Sequence, residues 1–261
     1  MRCYCGAKDH KLLFLAYDYY QIVQCFACGQ VRTITPFKVE RKQIYNKEDI
    51  SVYIEKEAMF RKLFKRVVDF IKQYKSDGRL VDIGAGVGFL VDEARWAGFD
   101  ARGIEPSFSA VLAAKKFFHI QLLHTKFTRK SMKKPVDIVV LNHVLEHLPN
   151  PHKVIRTIVN VLEKDGLLVI GVPNFGSIMS ILKKGRWQSL IPDQHRWHFT
   201  FATLDQLVQP QGFYRLGVTM ENHDRSMHPL WKLPIYWVID MIALLTNRGE
   251  AILVVYRKKR S

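Results

Sequence analysis

The four cysteines have the residue type and the spacing of a metal site. They stand as Cys3-x-Cys5-Gly6 and Cys25-x-x-Cys28-Gly29 near the start of a chain of 261 residues. A Cys-x-x-Cys-Gly turn points two thiolates at one ion, and two such turns supply the tetrahedral sulfur set that Zn²⁺ prefers. Because the sequence shows no export signal, disulfides are not expected, and free thiols or a redox or iron site are the alternatives. A closed four-sulfur site is structural, since catalysis needs an open coordination position.

A glycine-rich turn between two acids could hold a nucleotide. A predicted strand, Leu80–Ile83, runs into the turn Gly84–Gly88, and the next strand, Ala101–Glu105, ends in an acid. Backbone in a glycine-rich turn can approach a ligand closely, and the Glu105 carboxylate can accept both hydroxyl hydrogens of a ribose. A dinucleotide site would need glycine or alanine where Phe89 stands, so NAD is disfavoured.

Histidines could move a proton in two parts of the chain. Imidazole titrates near neutral pH, which suits a general base for an acceptor with a weakly acidic O–H or C–H bond. For Glu146 and its neighbour His147, a helix-capping or supporting role is the alternative to direct chemistry. Four histidines are candidate catalytic residues. His143 and His147 follow a predicted strand, and His195 and His198 stand further along the chain.

The elements that must position these residues alternate from Arg79 onward as strand and helix. This pattern predicts a parallel sheet whose ligand lies beyond the carboxyl ends of its strands. Ahead of it, apolar residues at helical spacing predict one helix over Ile54–Tyr74 that packs on the sheet and can close over the ligand. Tyr45 and Tyr53 could reach that ligand or simply pack. The predicted organisation is a zinc ribbon at 1–36, a linker and helix at 37–78, and the main domain at 79–261.

The order of these motifs resembles that of class I S-adenosylmethionine-dependent methyltransferases. Asp82 and the glycine turn, followed by Glu105, match their first two motifs. The run 142–149, Asn-His-Val-Leu-Glu-His-Leu-Pro, strongly resembles the fourth motif of the small-molecule and ubiquinone-biosynthesis types. Covering most of residues 79–220, the resemblance implies a Rossmann-like α/β fold, with a mainly parallel seven-stranded sheet and helices on both faces, and S-adenosylmethionine as cofactor.

The resemblance also implies roles for individual residues. Asp82, Gly84 and Gly86 would hold the methionine half of the cofactor, and Glu105 would bind its ribose. Lys126 and Phe127 would lie near the adenine, and Asn142 and His143 near the sulfonium. The whole implied cofactor set is Asp82, Gly84, Ala85, Gly86, Gly88, Glu105, Pro106, Lys126, Phe127, Asn142 and His143.

The cysteine knuckles ahead of these motifs look like those of zinc-containing sugar methyltransferases, some of which methylate carbon in nucleotide-linked keto sugars. By that resemblance His195 would be the general base, and a structural, hydrogen-bonding histidine is the alternative. Such enzymes usually carry a further C-terminal domain, which is not found here after the last predicted strand at 250–256. The expected reaction is therefore O-methylation of a small-molecule or glycan-linked hydroxyl, with phosphate nearby, and C-methylation of a keto sugar is the alternative.

A net charge of +16 indicates an anionic partner, which could be nucleic acid, an anionic membrane surface or a phosphorylated substrate. An RNA-binding or RNA-modifying protein is a further alternative, disfavoured because the ribbon lacks obvious basic and aromatic interleaving beyond Arg32 and Lys38. DNA base methylation is disfavoured because no Pro-Pro-aromatic run follows Asn142. A basic run without acids is read as a solvated face: Lys115, Lys116, Lys126, Arg129, Lys130, Lys133 and Lys134.

The longest apolar stretch, Leu233–Leu245, is interrupted by Asp240 and is too short to span a bilayer. It is predicted to form a core or lid helix, with contact to a membrane surface as the alternative. Together with the missing export signal, this predicts a cytoplasmic protein without a transmembrane segment.

Overall fold

The computed structural model describes residues 2–35, 47–132, 134–221 and 233–260. Lys38, Tyr45 and Lys133 lie outside these ranges. The first elements in chain order are β1 (His10–Ala16), β2 (Tyr20–Cys25), β3 (Val31–Ile34), α1 (Lys47–Glu55), α2 (Glu57–Lys72), β4 (Arg79–Ile83), α3 (Phe89–Trp96), β5 (Asp100–Glu105), α4 (Phe108–Phe118) and β6 (Leu123–His124). The later elements are β7 (Val136–Asn142), α5 (Pro151–Val159), β8 (Leu162–Pro173), α6 (Ile178–Lys183), β9 (Trp197–His198), α7 (Phe201–Val208), β10 (Phe213–Glu221), α8 (Leu233–Leu245) and β11 (Ala251–Lys258).

A seven-stranded sheet forms the centre of the molecule, in the order β10-β11-β8-β7-β4-β5-β6. The five strands from β8 to β6 are parallel, and β11 runs antiparallel to both of its neighbours. The chain leaves β4 toward β5 on one side and returns to β7 on the other, so the strand order reverses beside β4. Such a switch point opens a crevice at the carboxyl ends of the strands. The predicted Rossmann-like, mainly parallel sheet is confirmed.

Helices cover both faces of this sheet. On one face, α2 and α3 bury Val67, Ile71 and Leu90 against strand residues. On the other, α5 and α7 bury Ile155 and Leu204. Each helix therefore faces the sheet with an apolar stripe, as an α/β fold requires.

The cysteine-bearing segment folds into a smaller antiparallel sheet in the order β1-β2-β3-β9. The free edge of β3 pairs with β9 from a distant part of the chain, where Val31 lies opposite His198 and Arg32 opposite Trp197. This pairing joins the cysteine module to the segment that contains His195.

The prediction of a single helix over Ile54–Tyr74 is wrong at the start of this range. The chain forms two helices, because Lys56 leaves the helical region with φ −113° and ψ 25°. The second helix is tied to α3 by Arg61, whose guanidinium contacts Asp92 at 2.7 Å and Glu93 at 3.4 Å. The Tyr53 ring of the first helix packs 4.5 Å from the Phe60 ring of the second.

The helix predicted at Leu233–Leu245 is confirmed. Tyr236 and Ile239 pack against a buried cluster that includes Trp187, while Ile235 and Trp237 are 57% and 66% exposed. Its contact with a membrane surface stays a prediction. None of the described helices is long and apolar enough to cross a membrane.

Candidate active site

A cavity of about 1080 Å³ opens where the carboxyl ends of β4, β5 and β7 meet. Tyr53, Phe60 and Phe64 of α1 and α2 form one wall. The loop before β9 forms another, with Ser189 and His195. The predicted residues that line it are Asp82, Gly84, Ala85, Gly86, Glu105, Pro106, Asn142, His143, His147 and His195.

The glycine turn that follows β4 is shaped by backbone that only glycine adopts easily. Gly84 has φ +76°, and a β-carbon there would lie 2.6 Å from Val144 Cγ2. Its amide donates to the Ile104 carbonyl at 2.8 Å, which holds the turn against β5. Gly86 has φ +56° and donates its amide to Glu105 Oε2 at 2.9 Å. The turn from Gly84 to Gly86 thus lines the cavity with its backbone held in place.

Two buried acids face this space. Glu105 accepts from the amides of Gly86 and Ser107, but burial outweighs them and raises its pKa. Burial and the charge of Glu105 raise the pKa of Asp82 to about 7. Among the described residues, none donates a hydrogen bond to the Asp82 carboxylate. A buried carboxylate without a partner fits a site for a cationic group.

Three residues of the implied cofactor set lie elsewhere. Gly88 caps α3, and a β-carbon there would meet Ile120 Cγ2 at 2.7 Å, so it serves helix packing. Lys126 is exposed, and Phe127 packs against the main apolar core. Neither residue lines the cavity, although β6 pairs with Ile104 and Glu105 at the carboxyl end of β5. Ser107, Phe108 and Ser109 line that end instead.

His143 and Glu146 form a pair at the end of β7. His143 has φ +54°, an uncommon conformation for a residue other than glycine, and its Nδ1 lies 3.3 Å from Glu146 Oε1. The His143 side chain is 45% exposed to the cavity; desolvation by the surrounding protein opposes its protonation, but Glu146 outweighs this and raises the histidine pKa. Burial likewise raises the pKa of Glu146, yet contact with His143 and the neighbouring His147 and His195 bring it down to about 2.

His195 reaches the cavity from the opposite side. Its ring lies 4.7 Å from that of His147, and its Nδ1 contacts the Ser189 carbonyl at 2.9 Å. Burial lowers the pKa of His195 to about 4, below the near-neutral value that suits a general base. The sequence showed a histidine in a polar run, whereas burial arises only from the folded loop.

His198, the fourth candidate, does not line the cavity. Its ring is buried, and its Nε2 lies 2.8 Å from Thr33 Oγ1 of the cysteine module. Burial and the neighbouring His195 lower its pKa to about 3. The structure therefore places His198 in an interior contact rather than near an acceptor.

The four cysteines converge as their spacing predicts. The two closest pairs, Cys3 with Cys28 and Cys5 with Cys25, have Sγ–Sγ distances of 3.6 and 3.7 Å. All four Sγ atoms lie within 4.8 Å of one another. Tetrahedral zinc with bonds of about 2.3 Å separates its sulfurs by about 3.8 Å, so the set fits Zn²⁺.

Several residues that line the cavity were not singled out from the sequence. Phe60 and Phe64 fall within the helix predicted over Ile54–Tyr74, and only folding shows which of its rings face the ligand space. Ser107 carried a detectable signal, because it follows Glu105-Pro106 and caps α4 by accepting from the Ala110 amide. Gln188 and Gln194 lie in an irregular loop that no periodic pattern could place.

Comparison with known proteins gives the family. A methyltransferase domain matches residues 56–216, more than half of the chain. A ubiquinone biosynthesis O-methyltransferase of Glaesserella parasuis is 32% identical over 107 residues, 37% of this chain and 45% of that protein, so the chain matches about half of that relative's length. An uncharacterized methyltransferase of Oceanobacillus iheyensis is 28% identical over 68% of this chain and 75% of its own.

A similar fold occurs in a solved structure, a SAM-dependent methyltransferase from Archaeoglobus fulgidus. It superposes with a TM-score of 0.56 at 18% identity, over 79% of this chain and 99% of that one. With the parallel sheet, the glycine turn and the acid that ends β5, these matches agree on one assignment. The chain belongs to the family of methyltransferase domains, and it has the fold of class I S-adenosylmethionine-dependent methyltransferases.

Proposed function

We propose that this enzyme transfers the methyl group to a hydroxyl oxygen of a small-molecule or glycan-linked acceptor, such as a sugar or a phosphorylated compound. The observation that carries the proposal is the His143–Glu146 pair, which lines the same cavity as Asp82 and Glu105. A hydroxyl is a poor nucleophile until its proton is taken up, and a histidine oriented by a carboxylate is a common way to do so. The O-methyltransferase name of a matching relative supports oxygen as the target.

The cofactor residues follow from the fit of the site. When bound, S-adenosylmethionine supplies an electrophilic methyl group on a sulfonium. Asp82 is placed to pair with the ammonium of the methionine half, and the Gly84–Gly86 turn leaves room for that half over its backbone. Glu105 can accept from both ribose hydroxyls with its remaining lone pairs. Pro106 and Ser107–Ser109 border the space left for adenine.

His143 acts as the proton acceptor. Its Nδ1 faces Glu146, which leaves Nε2 to take the hydroxyl proton while the oxygen attacks the methyl carbon. The walls from α1, α2 and the loop before β9 exclude water and align the acceptor, which is the main requirement of an in-line displacement. The base assigned from the resemblance was His195, and the pairing with a carboxylate favours His143 instead.

The cysteine module has a structural role. Zinc held by Cys3, Cys5, Cys25 and Cys28 would fix β2 and β3, and β3 in turn carries β9 next to the acceptor loop. RNA as acceptor finds little support here, because Arg32, one of the two basic residues considered for it, is 2% exposed.

The test is methyl transfer from labelled cofactor to a panel of hydroxyl sugars, nucleotide-linked keto sugars, glycolipids and RNA. We expect transfer to a hydroxyl compound, and His143→Ala should lower kcat by about 10²- to 10⁴-fold with unchanged affinity for S-adenosylhomocysteine. His152→Ala, outside the cavity, is the matched control. Turnover of His143→Ala within a few-fold of wild type would contradict the assignment of the base.

A further inference from the structure

Three side chains of the cavity converge on one point. Glu146, His147 and His195 each place one ligand atom, a carboxylate oxygen or a ring nitrogen, within 4.8 Å of the other two. Two segments far apart in sequence create this cluster. They are joined by the Arg196 amide, which donates to the Glu146 carbonyl at 2.8 Å. The cluster is therefore built into the loop that closes the cavity.

Both histidines are oriented by backbone carbonyls. His147 Nδ1 lies 3.4 Å from the Gln194 carbonyl, and His195 Nδ1 lies 2.9 Å from the Ser189 carbonyl. A carbonyl only accepts, so each Nδ1 carries the hydrogen and each Nε2 keeps its lone pair. This is how histidines that bind metals are normally held by their surroundings.

Glu146 supplies an independent observation. The residue is 1% exposed, and neither carboxylate oxygen receives a hydrogen bond from the described residues. Its contact with His143 involves Oε1 alone. A buried carboxylate is costly unless it is paired on all sides or coordinates a cation. Oε2 is thus an unsatisfied oxygen in the wall of the cavity.

We propose that Glu146, His147 and His195 bind a divalent transition-metal ion at the acceptor end of the cavity. Two imidazole nitrogens and one carboxylate suit Zn²⁺, Mn²⁺, Fe²⁺ or Co²⁺, whereas Mg²⁺ prefers oxygen ligands alone. The site differs from the cysteine site, whose four sulfurs close the coordination of its ion. Three protein ligands leave positions open toward the cavity.

These open positions indicate a class of acceptor. An ion held from one side can bind two neighbouring oxygens of a ligand, such as a vicinal diol, and a bound hydroxyl loses its proton more easily. The proton passes to His143, the oxygen forms the bond to the methyl carbon, and the electron pair of the broken sulfur–carbon bond returns to sulfur. This part of the inference rests on the proposed O-methylation, but the metal site does not.

Metal content tests the site in the full chain. Wild-type protein dialysed against micromolar free Zn²⁺ should hold about two zinc ions per chain, and Glu146→Gln and His195→Gln about one. His152→Gln should keep both. Binding of S-adenosylhomocysteine by each variant shows that it is folded. Co²⁺ taken up by the second site should absorb weakly and lack the intense thiolate band of a cysteine site.

One zinc per chain in folded wild type, or two in folded Glu146→Gln, would overturn the proposal. Wild type with two zinc ions that methylates no hydroxyl would keep the metal site and reject the proposed function. Wild type that methylates a monohydroxyl acceptor and its vicinal diol with equal kcat/KM would reject the acceptor class.

Discussion

The Thr33 hydroxyl lies 2.8 Å from His198 Nε2, and this contact links the cysteine module to the loop that closes the cavity. Both residues are buried, and backbone pairing of Val31 with His198 continues the contact. His195, three residues earlier in the chain, lines the cavity. The metal module and the acceptor side of the site therefore form one structural unit.

Replacing Thr33 should weaken this link. Thr33→Val keeps the shape of the side chain but leaves His198 Nε2 without its partner, so the free energy of unfolding should fall by about 1 to 3 kcal/mol. Turnover should fall more than affinity for S-adenosylhomocysteine, because the contact supports the acceptor loop. Urea unfolding and calorimetry measure both. Equal stability of Thr33→Val and of the nearby control Thr35→Val would contradict the structural link.

Removing one cysteine should cost metal and stability. Cys25→Ser leaves three thiolates, so we expect loss of the zinc bound there and a lower Tm, while the main domain still binds S-adenosylhomocysteine. Elemental analysis and thermal unfolding are the measurements. A zinc-free wild type, or a disulfide between any of the four cysteines, would reject the metal assignment.

The buried acid Asp82 predicts a pH effect on the cofactor-free protein. Its pKa of about 7 lies above the ordinary value of 3.8, so the folded state holds a proton that the unfolded state releases between about pH 4 and 7. The free energy of unfolding should therefore fall as pH rises through this window, by on the order of a few kcal/mol. Asp82→Asn should remove that loss and weaken cofactor binding.

Asp137 offers a control of opposite sign. Although burial opposes it, the Arg79 amide and Lys75 lower the pKa of Asp137 below its ordinary value. Asp137→Asn should thus lower stability at neutral pH and lose this effect in acid. Urea unfolding at pH 3, 5 and 8 separates the two carboxylates, because the Asp82 effect changes between pH 5 and 8, whereas the Asp137 effect changes only below its ordinary value of 3.8. If wild type were more stable at pH 8 than at pH 5, and Asp82→Asn showed the same difference in stability, burial would not raise the pKa of Asp82 as proposed.

The glycine turn and Glu105 should govern cofactor affinity. Glu105→Ala removes the acceptor proposed for the ribose hydroxyls and should weaken binding of S-adenosylhomocysteine by about 10²-fold, since hydrogen bonds to charged groups contribute roughly 1.5 to 3 kcal/mol each. Gly86→Val forces a branched side chain into φ +56° and into the ligand space. Calorimetry with unchanged affinity in both variants would reject this placement of the cofactor.

Elements that depend on residues close together in the sequence could be predicted from it. The strand before Gly84, the glycine turn and Glu105 at the end of the next strand are as predicted, because each depends on residues within a few positions. Positive φ at Gly84 and Gly86 explains why glycines stand there.

What the sequence could not give depends on contacts between distant segments. β9 has two residues and no strand pattern, and it exists because β3 offers a free edge. The low pKa of His195 and the displacement of His198 from the cavity follow from the same packing. Lys126 and Phe127 were placed by resemblance, but Lys126 is exposed and Phe127 packs against the main apolar core.

The most direct test of O-methylation is carbon NMR of the product made with cofactor that carries ¹³C in its methyl group. The chemical shift of the transferred carbon reports the atom to which it is bonded. We predict a methoxy resonance that appears with wild type and is lost with His143→Ala. A resonance in the range of a methyl group on carbon would contradict the central claim and assign C-methylation instead.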